Sequence, residues 1–191
     1  MRAFLKIVVA VVVGTALGLG VTWFTIVRGT GMGSDVTDGP WHTSLLTGSN
    51  EGGMALRAAV ALHGLFALNR HEAIYYTALN DSAGNKLDGA CRYTVTGHDM
   101  PTRWWSVTAY GSDDFLIPNS GDRYAVSMNS VTRGDDGSPF GVVVAKSGSG
   151  ANWIPVGDSP FSLSLRLYNP DPKVAADPAH VALPTITKEG C

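Results

Sequence analysis

Hydrophobic and polar positions follow two different patterns along this chain, one before residue 28 and another after residue 69. From Ile7 to Val27 no side chain carries a charge. A helix of this length, rising about 1.5 Å per residue, spans roughly 30 Å, which is the thickness of the hydrocarbon core of a bilayer. Residues 7–27 are therefore predicted to cross the lipid bilayer as an uncleaved transmembrane signal anchor.

A cleaved signal peptide is the alternative for this segment. Signal peptides have an apolar core of about 7–15 residues followed by a small-residue cleavage site. The apolar stretch here is longer and no A-x-A sequence follows it, which favours the anchor. Gly14 and Gly18 have the GxxxG spacing that lets two membrane helices approach closely. A homodimer through this helix is one expectation, and the other is that glycine is simply common in membrane spans.

Basic residues near the two ends of the apolar stretch predict its orientation. Arg2 and Lys6 precede it, and only Arg28 follows it closely. The positive-inside rule then places residues 1–6 in the cytoplasm and the rest of the chain outside it. In a Gram-negative bacterium this means a single pass through the inner (cytoplasmic) membrane and a C-terminal domain in the periplasm.

Two segments lead from the apolar stretch to the rest of the chain. Residues 28–50 are rich in glycine, serine, threonine and aspartate, which predicts a tether. Residues 51–69 carry apolar side chains at helical spacing, among them Leu56 and Val60. This pattern predicts one helix that packs on an end or a face of the domain.

After Asn69 the pattern changes to strict alternation, which is typical of antiparallel sheets with one face in a core. Six strands are predicted: Ala73–Leu79, Cys91–Thr96, Trp104–Tyr110, Arg123–Met128, Phe140–Lys146 and Phe161–Tyr168. The fold class predicted for residues 51–187 is mainly β, an antiparallel β-sandwich of jelly-roll type. The proline-rich tail after Asn169 is expected to run extended over the surface.

The amino-acid composition supports this fold class and excludes one class of binding partner. Charged residues make up 16% of the 191 residues, against about 25% in typical soluble proteins. The 23 glycines and 10 prolines favour a turn-rich β protein. The net charge is −2, so no basic patch is expected and nucleic acid is excluded as a main partner.

Aromatic and cationic residues gather on one predicted strand. Alternation places Trp104 and Tyr110 on the same, more polar face, next to Arg103. Such a face is suited to stacking on sugar rings or to binding a partner protein. The alternative is that these side chains form a second packed surface beneath the helix or a neighbouring domain.

Two carboxylates follow this strand, and an arginine begins the next one. Asp113 and Asp114 lie in the predicted loop, and Arg123 lies further along the chain. With Arg103, these residues are candidates for acid/base chemistry or for cation binding. The alternative is that they cap turns and form local ion pairs.

No pattern in the chain predicts a metal or cofactor. The five histidines form no HxH or HExxH pair: His42, His63, His71, His98 and His180. Residues 80–88 resemble a calcium loop faintly, but they lack the D-x-D-x-D-G spacing and the late glutamate, so a hairpin turn is predicted there. Phosphate-binding glycine loops and nucleophile-elbow motifs are also absent.

The two cysteines allow two interpretations. In an oxidising compartment Cys91 and Cys191 are able to form a disulfide. A bridge that closes a loop of about 100 residues stabilises by up to roughly 4–5 kcal/mol in the chain-entropy model. The alternative is that Cys91 is a small buried hydrophobic residue, since alternation points it toward the core.

Several spaced motifs together resemble one bacterial family. They are Gly39–Trp41, Glu72–Tyr76, Arg103–Tyr110, Phe115–Asn119, Arg123–Tyr124, Asn152–Pro155 and Phe161–Tyr168. They resemble the family catalogued as domain of unknown function 1214, over roughly residues 39–187. The resemblance implies a jelly-roll-like β-sandwich. It implies no catalytic residues, because the family has no established reaction.

The same resemblance suggests a partner. Members of this family are often fused to, or encoded beside, a second domain of unknown function, number 1254. A chain of 191 residues is too short to hold both, so a separate protein carrying that domain is expected as a partner.

Two hypotheses of function follow. The first is a membrane-anchored, non-catalytic domain of the cell envelope that binds a partner protein or a glycan through its aromatic face. The second is an envelope hydrolase with a site near Arg103, Asp113, Asp114 and Arg123.

Overall fold

The computed structural model describes residues 2–24, 36–62, 67–135 and 137–191. The α-helices of this part of the chain are α1 (Arg2–Phe24), α2 (Gly53–Leu62) and α3 (Pro172–Ala176). Its strands are β1 (Val36–Asp38), β2 (Trp41–Thr43), β3 (Ala73–Ala78), β4 (Arg92–Gly97), β5 (Thr102–Gly111), β6 (Ala125–Ser127), β7 (Phe140–Ala145), β8 (Trp153–Pro155), β9 (Phe161–Pro170) and β10 (Thr185–Gly190).

The N-terminal helix α1 is 23 residues long and buries none of them. By length and composition it is apolar enough to cross a membrane. Most of the predicted apolar span is thus helical, while residues 25–27 lie outside the described part of the chain. A Cβ atom added at Gly14 or Gly18 would meet nothing within 4 Å. The predicted dimer through these glycines stays a prediction.

The larger sheet has six strands in the order β1-β2-β3-β9-β5-β6. Each neighbouring pair in it is antiparallel. Strand β9 lies between β3 and β5, so Leu165 is opposite Tyr76 on one side and Val107 on the other. Residues far apart in sequence are therefore neighbours at the centre of this sheet.

The smaller sheet has four strands in the order β10-β4-β7-β8. Its first two pairs are antiparallel, but β7 and β8 are parallel. The predicted β-sandwich is confirmed, with the correction that this sheet is mixed. Residues 146–152 connect these two strands and bring the chain back, so that β8 runs in the same direction as β7 where they pair.

One hydrophobic core lies between the inner faces of the two sheets. Trp105 of β5 stacks on Phe140 of β7, with ring centroids 4.5 Å apart. The rings of Tyr93 on β4 and Phe161 on β9 form an edge-to-face contact, with centroids 5.7 Å apart. The predicted alternation is confirmed on β9, where the odd-numbered residues Phe161, Leu163, Leu165 and Leu167 are all buried.

The predicted tether contains two strands of the larger sheet. Residues 28–35 lie outside the described part of the chain, but β1 and β2 pair with each other and β2 pairs with β3. Trp41 is fully buried, and its Nε1 donates a hydrogen bond to the carbonyl of Pro184 at 2.6 Å. Burying this large side chain stabilises the pairing of β2, so the sandwich begins before residue 51, where its start was predicted.

The predicted helix over residues 51–69 is shorter and less packed than expected. A 3₁₀ turn, Asn50–Gly52, leads into α2, and residues 63–66, with His63, lie outside the described residues. Within α2 only Ala59 is buried, whereas Met54 is 87% exposed and Leu62 is 66% exposed. Alanine is abundant in this segment and favours a helix without needing much burial, which explains why the apolar pattern overestimated the packing.

The C-terminal tail is part of the fold, so the prediction of an extended surface tail was wrong. Strand β10 pairs with β4, and its Ile186 is fully buried. The Sγ atoms of Cys91 and Cys191 form a disulfide between the start of β4 and the end of the chain. A buried residue and a covalent bond thus hold β10 in the smaller sheet.

Residues 80–86 form a hairpin turn around the buried side chain of Asp81. Its Oδ1 accepts hydrogen bonds from the backbone N–H groups of Ala83 at 2.9 Å and Asn85 at 2.8 Å. Burial acts to raise the pKa of Asp81, but the bonds from Asn85 and Ala83 and the charge of Lys188 together hold this pKa below its ordinary value. The ionised carboxylate is the form that stabilises the turn.

Replacing Asp81 with asparagine is therefore expected to destabilise the domain by about 1–3 kcal/mol at pH 7, because the backbone N–H groups of Ala83 and Asn85 lose a charged acceptor. The folded-state pKa is lowered, so this contribution is complete above about pH 4 and disappears as pH falls further. Urea unfolding of the detergent-solubilised full chain at pH 7 and pH 3 measures it. The control Asp158→Asn removes an exposed ion pair with Lys146 and should cost less than about 1 kcal/mol. An Asp81→Asn deficit that is as large at pH 3 as at pH 7 would refute the account.

Candidate binding surface

Four aromatic residues and one arginine occupy the outer face of the larger sheet. Buried Leu165 and Leu167 on β9, and Trp105, Val107 and Ala109 on β5, point into the core, so the residues that alternate with them point outward. We call this outward surface the aromatic face and define it by Tyr75, Trp104, Tyr110, Arg166 and Tyr168. All five side chains belong to half-buried residues.

Trp104 and Tyr168 form a pair at one end of the aromatic face. They lie directly opposite each other on β5 and β9. Their ring centroids are 5.3 Å apart and the rings are tilted by 56°. Such contacts hold both rings in place, so the face presents a preformed aromatic surface rather than two mobile side chains.

Arg166 lies between two of the tyrosines. Its Nη2 donates a hydrogen bond to the hydroxyl of Tyr110 at 2.6 Å, and its Nη1 donates to Oγ1 of Thr108 at 3.2 Å. Its Cζ is 5.4 Å from the ring centroid of Tyr110 and 6.0 Å from that of Tyr75. These contacts orient the guanidinium, and the tyrosine rings contribute cation–π attraction.

No carboxylate neutralises Arg166 directly. None of the ion pairs in the part of the chain that the structure describes includes it. Its two hydrogen-bond acceptors are neutral hydroxyl groups. A half-buried positive charge without an ion-pair partner is able to attract an anionic group.

Small hydroxyl side chains lie between the larger ones. Ser106 and Thr108 point outward yet are each only 4% exposed. Ser164 lies opposite Thr108 in the sheet, and Thr77 lies opposite Ser164 on β3. Ser106 and Thr108 are therefore covered by the larger side chains, whereas half-buried Ser164 and exposed Thr77 present hydroxyl groups on the aromatic face.

Tyr75 is held as a neutral phenol at the edge of this surface. Burial raises its pKa most strongly, and the backbone N–H of Leu68 and the charge of Arg166 act in the opposite direction. The N–H of Leu68 donates to the phenol oxygen at 3.4 Å. At neutral pH the phenol therefore adds no negative charge beside Arg166.

The four residues of the predicted hydrolase site do not lie together at one place in the fold. Arg103 is exposed at the start of β5, and Asp113 and Asp114 follow its far end. Ten residues of strand separate these ends by roughly 30 Å. Oδ1 of Asp113 accepts from the backbone N–H of Phe115 at 3.1 Å, and Nη2 of Arg123 donates to the carbonyl of Ala151 at 2.5 Å. The bond of Asp113 matches the turn-capping alternative, whereas Arg123 binds a carbonyl 28 residues further along the chain.

Two of the histidines in the described ranges, His42 and His180, bond to residues close by in the sequence. Nδ1 of His42 lies 3.1 Å from Oγ1 of Thr37, and Nδ1 of His180 lies 2.8 Å from Oδ2 of Asp177. Among the residues that the structure describes, no three His, Cys, Asp or Glu side chains are grouped closely enough to hold a metal ion.

Residues 72–172, slightly more than half of the chain, match the model of a family described as "Protein of unknown function (DUF1214)". The chain belongs to the DUF1214 family. The matched residues run from just before β3 to the start of α3. They include all five residues of the aromatic face, so this face is part of the DUF1214 domain itself.

One solved structure shows the same fold. The DUF1214 chain resembles the VPA0106 protein from Vibrio parahaemolyticus with a TM-score of 0.61 and 23% identity, over 92% of this chain and 43% of that one. A protein from Burkholderia cenocepacia aligns with a TM-score of 0.42 and 15% identity, over 63% of this chain and 29% of its own. The DUF1214 chain thus spans less than half the length of either structure. No curated protein matches it.

A shallow cavity of about 330 Å³ lies on the smaller sheet of the DUF1214 domain. The disulfide lines it, together with Arg92, Lys146 and Glu189. It is formed by β4, β10 and the residues after β7, so it is separate from the aromatic face of the larger sheet.

Sequence reasoning identified part of the aromatic face. It placed Trp104 and Tyr110 on one side of a strand, where the structure also has them. It did not select Arg166, Tyr168 or Tyr75. Alternation along β9 did point Arg166 and Tyr168 outward, but their position beside Trp104 and Tyr110 depends on β9 pairing with β5.

Proposed function

We propose that this DUF1214 chain is a non-catalytic binding domain, held by α1 at the bacterial inner membrane, whose ligand binds on the aromatic face in the periplasm. The long apolar helix supports the anchor, and the flanking charges support the orientation. The family match supports a domain of this class without naming its ligand.

The observation that carries the proposal is the Trp104–Tyr168 pair beside Arg166, whose charge no carboxylate of the described residues balances. Binding energy in recognition sites is concentrated in tryptophan, tyrosine and arginine, especially where these side chains are already ordered. Nothing comparable supports the hydrolase hypothesis, because the hydrogen bonds of Asp113 and Arg123 are made to backbone groups.

Replacing Trp104 with alanine should weaken ligand capture at least about tenfold, which corresponds to about 1.4 kcal/mol. Cells expressing the tagged full chain are fractionated, and the membranes are treated with a chemical crosslinker. Purified adducts are then identified by mass spectrometry. The chain is expected in the membrane fraction, with adducts that are lost in Trp104→Ala.

Phe115→Ala is the matched control, because Phe115 is an aromatic residue that is 73% exposed in a loop. It should leave the adducts unchanged, and Trp104→Phe should retain most of them. Thermal unfolding of each variant separates lost binding from lost folding. Equal adduct yields from folded Trp104→Ala and wild type would count against the aromatic face, and chain found only in soluble fractions would count against the anchor.

The same preparation tests the partner that the family resemblance suggests. Recovery of a protein with domain 1254 among the adducts would support that partnership. Recovery of abundant chain without such a protein would count against it.

A further inference from the structure

The guanidinium of Arg166 has N–H groups that its side-chain partners in the described part of the chain do not use. Two of the five N–H groups of its guanidinium donate to Tyr110 and Thr108, and no carboxylate pairs with it within the described ranges. Glu72, which precedes β3, accepts a hydrogen bond from Nδ2 of Asn69. A planar guanidinium pairs best with a carboxylate or phosphate through two parallel bonds.

The residues around Arg166 restrict the kind of ligand that supplies the anionic group. The Trp104–Tyr168 pair lies two residues further along the same strands, or about 7 Å away. The hydroxyl groups of half-buried Ser164 and exposed Thr77 lie opposite each other on the same face, one strand position from Arg166 and Tyr75 on that face. A ligand that fits here has an apolar ring surface for the indole, several hydroxyl groups and one carboxylate.

A uronic acid unit has these three features together. We infer that the aromatic face binds a carboxylated saccharide, with the carboxylate on Arg166 and the sugar ring against Trp104. The inference rests on the proposed function and adds the chemical class of the ligand. An acidic side chain of a partner protein would use Arg166 but would leave the hydroxyl groups of Ser164 and Thr77 unused.

Binding of a galacturonic acid trisaccharide to the detergent-solubilised full chain tests this inference. The galactose trisaccharide with the same linkage is the neutral control probe, and isothermal titration calorimetry measures both. The acidic trisaccharide should bind at least about tenfold more tightly than the neutral one, since hydrogen bonds to charged groups contribute most. Added salt should reduce this difference.

Arg166→Gln should lower the affinity for the acidic trisaccharide to that for the neutral one, and Arg166→Lys should restore part of the preference. Arg92→Gln is the matched control, because Arg92 is an exposed arginine on β4 that donates to the carbonyl of Ser147. Thermal unfolding identifies any misfolded variant, and Arg166→Lys decides the outcome if Arg166→Gln fails to fold.

Equal affinities for the two trisaccharides, or an acidic preference that survives in folded Arg166→Gln, would overturn the inference. The absence of saccharide binding, with crosslinked adducts that still depend on Trp104, would also overturn it but would leave the proposed function standing. If neither saccharide binding nor Trp104-dependent adducts are observed, both the inference and the proposed function are rejected.

Discussion

Replacing Trp105 with alanine is expected to destabilise the folded domain by about 3–5 kcal/mol. Trp105 is fully buried and stacks on Phe140 across the two sheets at 4.5 Å. Its Nε1 donates a hydrogen bond to Oδ1 of Asp99 at 2.8 Å, and Asp99 pairs with Arg133. The substitution removes packing on both sheets and leaves a cavity in the core. Urea unfolding of the full chain in detergent, followed by fluorescence or circular dichroism, measures the loss.

The neighbouring tryptophan is the control for this prediction. Trp104 precedes Trp105 in the same strand but points to the opposite side of the sheet and contacts Tyr168. Trp104→Ala should cost less stability, because a half-buried side chain leaves no core cavity, yet it should impair binding. Equal stability losses in the two variants would contradict the assignment of the two faces.

Replacing Cys191 with serine is expected to lower stability by about 2–5 kcal/mol under oxidising conditions. The disulfide joins residues 100 positions apart, so it restricts a long loop in the unfolded chain. Cys191 is exposed at the chain end, which makes serine harmless there, whereas a serine at buried Cys91 would add the cost of a buried hydroxyl. Urea unfolding with and without a thiol reductant measures the effect.

The reductant provides the internal control. Wild type treated with reductant should unfold at the same urea concentration as Cys191→Ser, and the variant should not respond to the reductant. Strand β10 should stay paired in the variant, since Ile186 remains buried in the core. A reductant effect of equal size on both proteins would show that the stability does not come from this disulfide.

Alternation along the chain predicted the sides of the long strands because each has one face in the core. In β9 the buried leucines alternate with Ser162, Ser164 and Arg166 over the whole strand. Strands of three residues carry too short a pattern to be recognised this way. Trp41 of β2 is held by a carbonyl 143 residues away, at Pro184, so only the complete fold shows why its segment is a strand.

The candidate site was partly predictable for the same reason. The face of a residue follows from its own strand, and Trp104 and Tyr110 were found in this way. The neighbours of a residue follow from the order of strands in the sheet, and the sequence does not state that β9 lies between β3 and β5. Arg166 therefore meets Tyr75 and Tyr110 only in the folded protein, while Arg103, adjacent to Trp104 in sequence, takes no part in the aromatic face.

Site-specific photocrosslinking tests the central claim, that the ligand binds on the outer face of the larger sheet. Thr77 and Thr187 are exposed threonines in strands, Thr77 on the outer face beside Tyr75 and Thr187 on the outer face of the smaller sheet. Each is replaced by p-benzoylphenylalanine in the full chain, and native membranes are illuminated. The account predicts adducts from position 77 and none from position 187. Adducts of equal yield at both positions, or adducts only at position 187, would contradict it.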